Sequence, residues 1–147
     1  MQTKLSDILS TIEAKPITVE PDATVFEAIG AMVRNNVGAL LVTRGTEICG
    51  ILTERDYLRG VALKGRRSKE MRVSEIMSTK VVVVPPDRTV GECMSIMTKH
   101  RFRHLPVFDG EEFVGMISMR HLTARICDNQ AAEIEQLTRY ISGDYPG

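Results

Sequence analysis

Two short segments carry the polar side chains whose types and spacing best suit chemistry: GILTERD at residues 50–56 and GMISMRH at residues 115–121. In the first, Thr53 stands three residues before Asp56; in the second, a serine stands three residues before a histidine. A hydroxyl followed at this distance by a polar side chain is typical of a helix N-cap. A carboxylate at the edge of a cleft would also accept both hydroxyls of a ribose diol. The sequence leaves both interpretations open, since one threonine can cap a helix and face a ligand.

A third polar segment, KHRFRHLPV, occupies residues 99–107, and its counterpart at residues 34–42, RNNVGALLV, has almost no charge. Two arginines and a histidine lie where a predicted helix gives way to a predicted strand: Arg101, Arg103 and His104. Guanidinium and imidazole groups at such a junction would hold a phosphate. Exposed arginines are also common as solvated surface groups, so this second interpretation stands beside the first.

Metal binding and catalysis find little support in the sequence. His100 and His104 have the i, i+4 spacing of helical zinc ligands, but two arginines lie between them, Pro106 follows, and no third ligand is placed. The sequence also has no Gly-x-Ser-x-Gly elbow, phosphate-binding loop or clustered carboxylate pair. We therefore expect neither a metal site nor an enzyme.

Composition excludes several classes of protein. The chain has 147 residues, 43% of them hydrophobic, with 19 basic and 19 acidic side chains. This balance removes the general attraction to nucleic acid or an anionic membrane, and no apolar run is long enough to cross a bilayer. The first 15 residues lack the features of a signal or transit peptide. Three widely spaced cysteines, Cys49, Cys93 and Cys127, suit a reducing cytoplasm.

The sequence repeats itself. Residues 21–56 align with residues 86–121 at an offset of 65, and 12 of the 36 aligned pairs are identical, where random pairing would give about two. Upstream, LSDILST at residues 5–11 matches VSEIMST at residues 73–79. We infer a duplication. Because one copy buries too little surface to be stable alone, we expect the two copies to stack their sheets face to face about a pseudo-twofold axis.

Each copy is predicted to be β-α-β-β-α, which gives an α+β fold. The predicted strands are residues 17–19, 39–43 and 48–52 in the first copy and residues 81–84, 105–108 and 113–117 in the second. The central helices begin with Thr24-x-x-Glu27 and Thr89-x-x-Glu92, the spacing of a capping box. The first of them has an apolar stripe made of Val25, Ala28, Ile29, Met32 and Val33. Second helices are expected from residues 53 and 118, and an acidic helix over residues 128–140.

The repeated unit resembles the cystathionine-β-synthase (CBS) domain, because both copies end in the pattern G-h-h-[T/S]-x-x-D or a variant of it, and LPV opens the middle strand of the second. The tandem resembles a CBS pair, or Bateman module. The resemblance implies repeat 1 at residues 1–62, a basic linker at residues 63–72, repeat 2 at residues 73–127 and an acidic helix and tail at residues 128–147. The linker and tail are similar to those of stand-alone CBS-pair proteins.

CBS pairs bind adenosyl compounds in two clefts between the repeats, so the resemblance implies an adenosyl ligand, AMP first and NAD or ATP after it. In the first cleft, Thr53 and Asp56 would hold the ribose, and Arg103 and His104 would face the phosphate. The remaining residues of this cleft would line the adenine slot and its floor: Val81, Val82, Phe102 and Pro106.

The second cleft is expected to be the weaker one. It would use Ser118, but His121 stands where the family has its ribose aspartate, and a neutral imidazole offers one acceptor instead of two carboxylate oxygens. Arg55 and Arg120, present in both copies, would reach phosphates across the pseudo-twofold axis. The other residues of this cleft would be Pro16, Ile17, Val37, Gly38 and Ala39.

Two functions of different class follow. The first is a non-catalytic sensor, expected as a homodimer, in which a bound adenine nucleotide changes the packing of the halves and so regulates an unidentified partner protein. The second is a protein-interaction adaptor with vestigial clefts. Nucleic-acid binding is disfavoured, because the linker has no aromatic residue for stacking and the net charge is zero. The cations that would be used are Lys64, Arg66, Arg67, Lys69 and Arg72.

Overall fold

The computed structural model describes residues 1–12 and 15–142, so the predicted tail beyond residue 142 lies outside the described residues. The helices and strands follow in the order α1 (Leu5–Thr11), β1 (Thr18–Val19), α2 (Val25–Asn35), β2 (Ala39–Arg44), β3 (Glu47–Thr53), α3 (Glu54–Tyr57), α4 (Val90–His100), β4 (His104–Asp109), β5 (Glu112–Ser118) and α5 (Met119–Ser142). A π-helical turn, Leu58–Ala62, extends α3, and two 3-10 turns follow at Ser68–Glu70 and Val73–Glu75. The fold is α+β, as predicted.

The two sheets differ at their first strand. β1 runs parallel to β2, which pairs antiparallel with β3. β4 and β5 pair antiparallel, but the strand predicted at residues 81–84 is reduced to a single-residue bridge from Val84 to Val107. Pro85 and Pro86 follow this bridge at once, and proline has no N–H with which to continue a strand ladder.

The central helices begin at the predicted threonines. The Thr24 hydroxyl accepts a hydrogen bond from the Glu27 N–H (3.1 Å), and the Thr89 hydroxyl accepts one from the Glu92 N–H (3.2 Å). At Thr89 the reciprocal bond is also present, from its N–H to Glu92 Oε1 (3.3 Å). The predicted capping box is therefore complete in α4, whereas α2 has the hydroxyl half of it.

The apolar stripe of α2 differs from the prediction at its last residue. Val25, Ala28 and Met32 are buried and Ile29 is half-buried, but Val33 is 75% exposed. Val33 lines an open groove on the outer side of the helix. The predicted stripe therefore does not include Val33 as a packed residue, because the core lies along the side of α2 that carries the other four.

The leading segment of each repeat packs in the core of the other. Leu5, at the start of α1, is buried among side chains of repeat 2, and its N–H donates to the Arg88 carbonyl (2.9 Å). Val73, its counterpart, is buried among side chains of repeat 1, and its N–H donates to the Ala23 carbonyl (2.9 Å). The similar sequences at residues 5–11 and 73–79 are therefore two segments that have changed places, and their reciprocal packing joins the halves.

The β2–β3 hairpin is covered on both faces. Leu40 and Leu52 are fully buried on the face that packs against α2. Leu41 and Ile51 occupy alternate positions, which point to the opposite face of a strand, and they are also buried. Ile51 exchanges two backbone hydrogen bonds with Ser78 of repeat 2 (2.9 Å each). Backbone bonds of this kind lie in the plane of a sheet, so the segment at Ser78 continues the sheet at the outer edge of β3 and joins the two repeats.

The last helix is longer than the sequence suggested. A second helix of repeat 2 and a separate acidic helix from residue 128 were expected, but α5 is continuous from Met119 to Ser142. No glycine or proline lies between these residues to interrupt it. The boundary drawn after residue 127 thus falls inside a helix of 24 residues, about 36 Å long. The side chains of residues 131–141 are all exposed.

Candidate functional site

The strand ends of the two repeats are built in the same way. Ala39 pairs with Thr53 at one end of β2 and β3, and His104 pairs with Ser118 at the same end of β4 and β5. In both repeats the first N–H of the next helix donates to the carbonyl that precedes the hairpin: Glu54 to Gly38 (3.1 Å) and Met119 to Arg103 (2.8 Å). The polar side chains that the sequence singled out therefore lie at equivalent points of the two repeats.

Asp56 belongs to a complete capping box. The Thr53 N–H donates to Asp56 Oδ2 (2.9 Å), and the Asp56 N–H donates to Thr53 Oγ1 (3.2 Å). Both side chains are half-buried. The helix-cap interpretation is confirmed, and it uses one carboxylate oxygen. Oδ1 has no hydrogen-bond partner within the part of the chain that the structure describes and remains an acceptor.

His121 takes the place of the aspartate in the second cap. The Ser118 N–H donates to His121 Nδ1 (3.0 Å), the Ser118 Oγ lies 3.0 Å from the same nitrogen, and the His121 N–H donates to Ser118 Oγ (3.3 Å). Burial, aided by the positive charge of Arg120, lowers the pKa of His121 below its usual value. The imidazole is therefore neutral at pH 7 and replaces a carboxylate as the cap acceptor.

His104 of repeat 2 approaches the start of β2 in repeat 1. A Cβ added at Gly38 would stand 3.5 Å from His104 Nε2 and 3.1 Å from Glu54 Oε1, so this imidazole of repeat 2 approaches the start of β2. Burial, and then the nearby His121 and Arg103, lower the pKa of His104 to about 4. At pH 7 it is uncharged, and a contact with phosphate would be a hydrogen bond rather than an ion pair.

The apolar residues predicted for the first cleft lie along the edge of the repeat 2 core. Phe102 and Val82 are both half-buried against that core. The Phe102 ring stacks on His100, with centroids 5.6 Å apart and planes inclined by 17°. Val81 is half-buried and Pro106 is fully buried within β4. These side chains are at least half-buried, whereas Arg103 beside them is exposed.

The residues predicted for the second cleft divide into two groups. Ile17 and Val37 both pack on the repeat 1 core, and Ala39 is buried at the start of β2. Pro16 is exposed, as are Arg55 and Arg120, the residues proposed to reach phosphates. The structure thus brings the apolar residues together.

Arg101 has a backbone role that the sequence did not indicate. It ends α4 in the left-handed conformation (φ 59°), as its counterpart Asn36 (φ 52°) ends α2. Left-handed asparagine is common at this position, whereas a left-handed arginine is unusual. The observed strands β2 and β4 then start at equivalent residues, Ala39 and His104.

Two features of the structure were not predicted from the sequence. Glu54 follows the cap threonine and places its carboxylate beside Gly38; a charged residue where repeat 2 has Met119 was the available signal. The other is an open groove of about 440 Å³ on the outer side of α2, lined by Phe26, Ile29, Gly30, Val33, Arg34, Tyr57 and Ser68. The Lys69 ammonium lies 4.7 Å from the centre of the Phe26 ring at its rim.

Two further kinds of site were sought in residues 1–12 and 15–142. Within these ranges, no three histidine, cysteine, aspartate or glutamate side chains are placed to share a metal ion. Among the helices described, none combines the length and the apolar character that crossing a bilayer would need.

Two interlocked copies of one α+β unit, with equivalent polar caps at their strand ends, define a tandem-repeat module rather than two independent domains. Comparison with known proteins identifies the unit: the CBS domain profile matches residues 5–63 and 73–128. The chain belongs to the CBS-domain family. Proteins of this family are generally regulatory, non-catalytic modules that bind adenosyl nucleotides.

Individual relatives agree with this assignment. The chain is 34% identical to the mitochondrial CBS domain-containing protein CBSX3 of Arabidopsis thaliana, over 97% of this chain and 74% of that protein. Its structure resembles that of a protein with CBS domains from Burkholderia ambifaria (TM-score 0.80, 44% identity, 87% of this chain and 96% of the other). It also resembles a hexameric CBS-CP12 protein from bloom-forming cyanobacteria (TM-score 0.73, 30% identity, 82% and 69% coverage).

Proposed function

We propose that this chain is a non-catalytic sensor that binds an adenosyl nucleotide, AMP first and NAD or ATP after it, in the cleft that contains Thr53 and Asp56. The bound nucleotide favours one packing of the two halves, and a partner protein responds to that packing. A ligand can shift such an equilibrium only by binding one arrangement better than the other.

The observation that carries the proposal is the second oxygen of Asp56. The cap fixes the carboxylate through Oδ2, so the side chain is already ordered before a ligand arrives. Oδ1 keeps its lone pairs, and a carboxylate oxygen can accept from the two hydroxyls of a ribose. The same residue therefore stabilises the helix and offers the charged acceptor that a diol requires.

The remaining groups support a nucleotide in that cleft. Phe102 and Val82 offer an apolar edge that is held against the core and suits a flat base. Arg103 is exposed at the start of the adjacent strand, and its guanidinium is free to turn toward a phosphate. His104, neutral at pH 7, would add a hydrogen bond.

The experiment is calorimetry with AMP, ATP, NAD and S-adenosylmethionine on the wild-type chain and on Asp56→Asn. Asparagine keeps an oxygen for the Thr53 N–H but replaces the second acceptor with a donor. Loss of a charge-assisted hydrogen bond of about 1.5–3 kcal/mol predicts affinity about 10- to 100-fold weaker.

The matched control for this experiment is Glu92→Gln. Glu92 holds the same position in the capping box of α4, so the variant neutralises a cap carboxylate away from the cleft. Nucleotide affinity should be unchanged. If Asp56→Asn bound every nucleotide as tightly as the wild type, the proposed cleft would be wrong. If the wild-type chain bound none at millimolar concentration, the adaptor function would replace the sensor.

We also propose a homodimer in which the exposed end of α5 packs on the outer side of α2 in a second copy. Val33 is exposed on α2, and Leu137 and Ile141 are 62% and 83% exposed on α5. The groove beside α2 has a basic rim that includes Arg34, and α5 carries Asp128 near its middle and Glu133 and Glu135 toward its end, where Glu135 is paired with Arg139. Apolar surface and opposite charge both favour this pairing.

The cysteines support a reducing location, which we take to be the cytoplasm. Cys49, Cys93 and Cys127 are all unpaired thiols. Burial raises the pKa of the Cys93 thiol to about 11, so this group stays protonated and packs as a small apolar side chain.

A further inference from the structure

The two caps make the same hydrogen bonds, but the side-chain atom that each leaves free has the opposite hydrogen-bonding character. In repeat 1, the backbone N–H of Thr53 donates to Asp56 Oδ2. In repeat 2, the backbone N–H of Ser118 donates to His121 Nδ1. A backbone N–H can only donate, so Nδ1 must be the unprotonated nitrogen. The proton of the neutral ring is therefore on Nε2.

The position of this proton determines which hydrogen-bonding atom of each side chain is left free by the cap. Asp56 has an acceptor oxygen to spare, because a carboxylate has two. His121 has no spare acceptor, because the cap uses its only one, and its remaining polar atom is an N–H donor. A ribose diol presents two hydroxyl protons that must find acceptors, whereas a carbonyl or phosphoryl oxygen needs a donor. The one acceptor that the sequence predicts for a neutral His121 is therefore the nitrogen that the cap occupies.

We propose that His121 is the specificity-determining residue of the second cleft. It places an N–H donor where aspartate would place an acceptor for the ribose hydroxyls. The second cleft therefore does not bind a ribose diol, and the chain binds one ribonucleotide. The proposal rests on the proposed function only for the ribonucleotide in the first cleft. What the second cleft recognises at this point is an acceptor oxygen of the carbonyl or phosphoryl kind.

The groups around the second cleft are consistent with an N–H donor at His121. His104 Nε2 and the Glu54 carboxylate both approach Gly38, close to the cleft. The nearby positive groups, Arg103 and Arg120, are exposed. Burial and Arg120 keep His121 neutral. The Glu54 carboxylate lies at the start of the repeat 1 helix and is not a partner in the hydrogen bonds of the Ser118–His121 cap.

The first test needs no ligand. Nitrogen-15 NMR of the full chain reports the protonation of each imidazole nitrogen. We expect Nδ1 of His121 to resonate as an unprotonated nitrogen and Nε2 as a protonated one at pH 7. The opposite tautomer, or a doubly protonated ring, would overturn the proposal. The exposed His100 provides a reference ring in the same spectrum.

The second test is the stoichiometry of AMP binding by calorimetry. The wild-type chain should bind one AMP and His121→Asp should bind two, because aspartate restores the spare acceptor while keeping the cap. The new site of His121→Asp should bind AMP at least about tenfold tighter than 2′-deoxy-AMP, the cost of one lost hydrogen bond to a charged group. His121→Asn keeps the cap and leaves a donor, so it should still bind one.

The outcomes separate this proposal from the proposed function. If the wild-type chain binds two AMP molecules, or if His121→Asp gains no site while remaining folded, the role of His121 is refuted. If the wild-type chain binds none and His121→Asp binds one, the role of His121 is upheld and the proposed first cleft fails. Thermal unfolding of each variant establishes that it is folded.

Discussion

The caps at the ends of β3 and β5 show how a duplicated structure divides its chemistry. Both place a hydroxyl residue before the helix and a second acceptor three residues later, and both satisfy the same backbone N–H groups. The helix start is preserved because either acceptor suffices for it. The atom left over differs: an oxygen of Asp56 in one repeat and an N–H of His121 in the other. Both repeats thus supply the acceptor that the start of the helix needs, but only repeat 1 keeps a free acceptor for the hydroxyl of a ligand.

The outer sides of α2 and α4 also differ between the two repeats. Phe26 and Val33 are exposed on α2, whereas the equivalent residues of α4 are Gly91 and Thr98. A Cβ added at Gly91 would lie 3.4 Å from the Met1 carbonyl oxygen, so the N-terminus already covers part of α4. Repeat 1 has the apolar outer surface and repeat 2 has the covered one.

The largest expected effect comes from the exchanged leading segments. Leu5 is fully buried in the repeat 2 core. Leu5→Ala removes that packing and leaves a cavity, so the free energy of unfolding should fall by about 2–5 kcal/mol. Urea unfolding measures the loss. Hydrogen exchange should show that protection is lost first in β4 and β5 of repeat 2, although Leu5 belongs to repeat 1 in the sequence.

Ser6→Ala is the control for this change, because Ser6 is exposed on the same helix and should alter stability by less than about 0.5 kcal/mol. A loss of protection in β2 and β3 rather than in β4 and β5 would contradict the packing of the leading segment of repeat 1 in the core of repeat 2.

The next effect comes from His104, a half-buried histidine whose counterpart in repeat 1 is Ala39. The pKa of His104 is lowered to about 4 from an ordinary 6.5. The unfolded chain therefore binds a proton that the folded chain does not between these values, and stability falls as pH drops from about 6.5 to about 4. The contribution of His104 over this window is about 3 kcal/mol.

Urea unfolding at several pH values, comparing wild type with His104→Gln, measures this contribution. The variant should lose less stability on acidification. His100→Gln, at an exposed histidine, should follow the wild-type curve. Parallel curves for wild type and His104→Gln would mean that the imidazole is not desolvated.

The duplication was readable from the sequence because identical residues recur at a fixed offset, and the helix and strand pattern followed from it. The exchange of the leading segments was not readable. LSDILST and VSEIMST match each other equally well whether each packs on its own repeat or on the other, and sequence similarity carries no information on which one is chosen. The contacts of Leu5 and Val73 in the structure show that each segment packs on the other repeat.

The candidate site was predictable to the level of residue type and no further. The spacing of Thr53 and Asp56 predicts a cap, and the cap is present. The orientation of a ring was not predictable: whether His121 offers an acceptor or a donor depends on which nitrogen meets the Ser118 N–H. The same applies to His104, whose neutrality follows from burial that no local pattern encodes.

A smaller effect compares the complete cap with the half-formed one. Thr89→Ala removes the hydroxyl that accepts from the Glu92 N–H, and Thr24→Ala removes the equivalent group at Glu27. Each should cost about 1 kcal/mol in the free energy of unfolding. Thr89→Ala should cost more, because Glu92 also bonds the Thr89 hydroxyl (3.1 Å). Equal losses, measured by thermal unfolding, would show that the hydrogen bond from the Thr89 hydroxyl to the Glu92 carboxylate adds nothing.

The smallest effect on stability is expected on the outer side of α2. Val33→Thr gives repeat 1 the residue that repeat 2 has in Thr98. Because Val33 is 75% exposed, the free energy of unfolding should change by less than about 0.5 kcal/mol. The proposed dimer should nevertheless weaken severalfold, since an apolar contact with α5 of the second copy is lost. Sedimentation equilibrium measures this, with Thr98→Val as the matched change on α4. A dimer weakened by Leu137→Ser but indifferent to Val33→Thr would place the partner's α5 somewhere other than the repeat 1 groove.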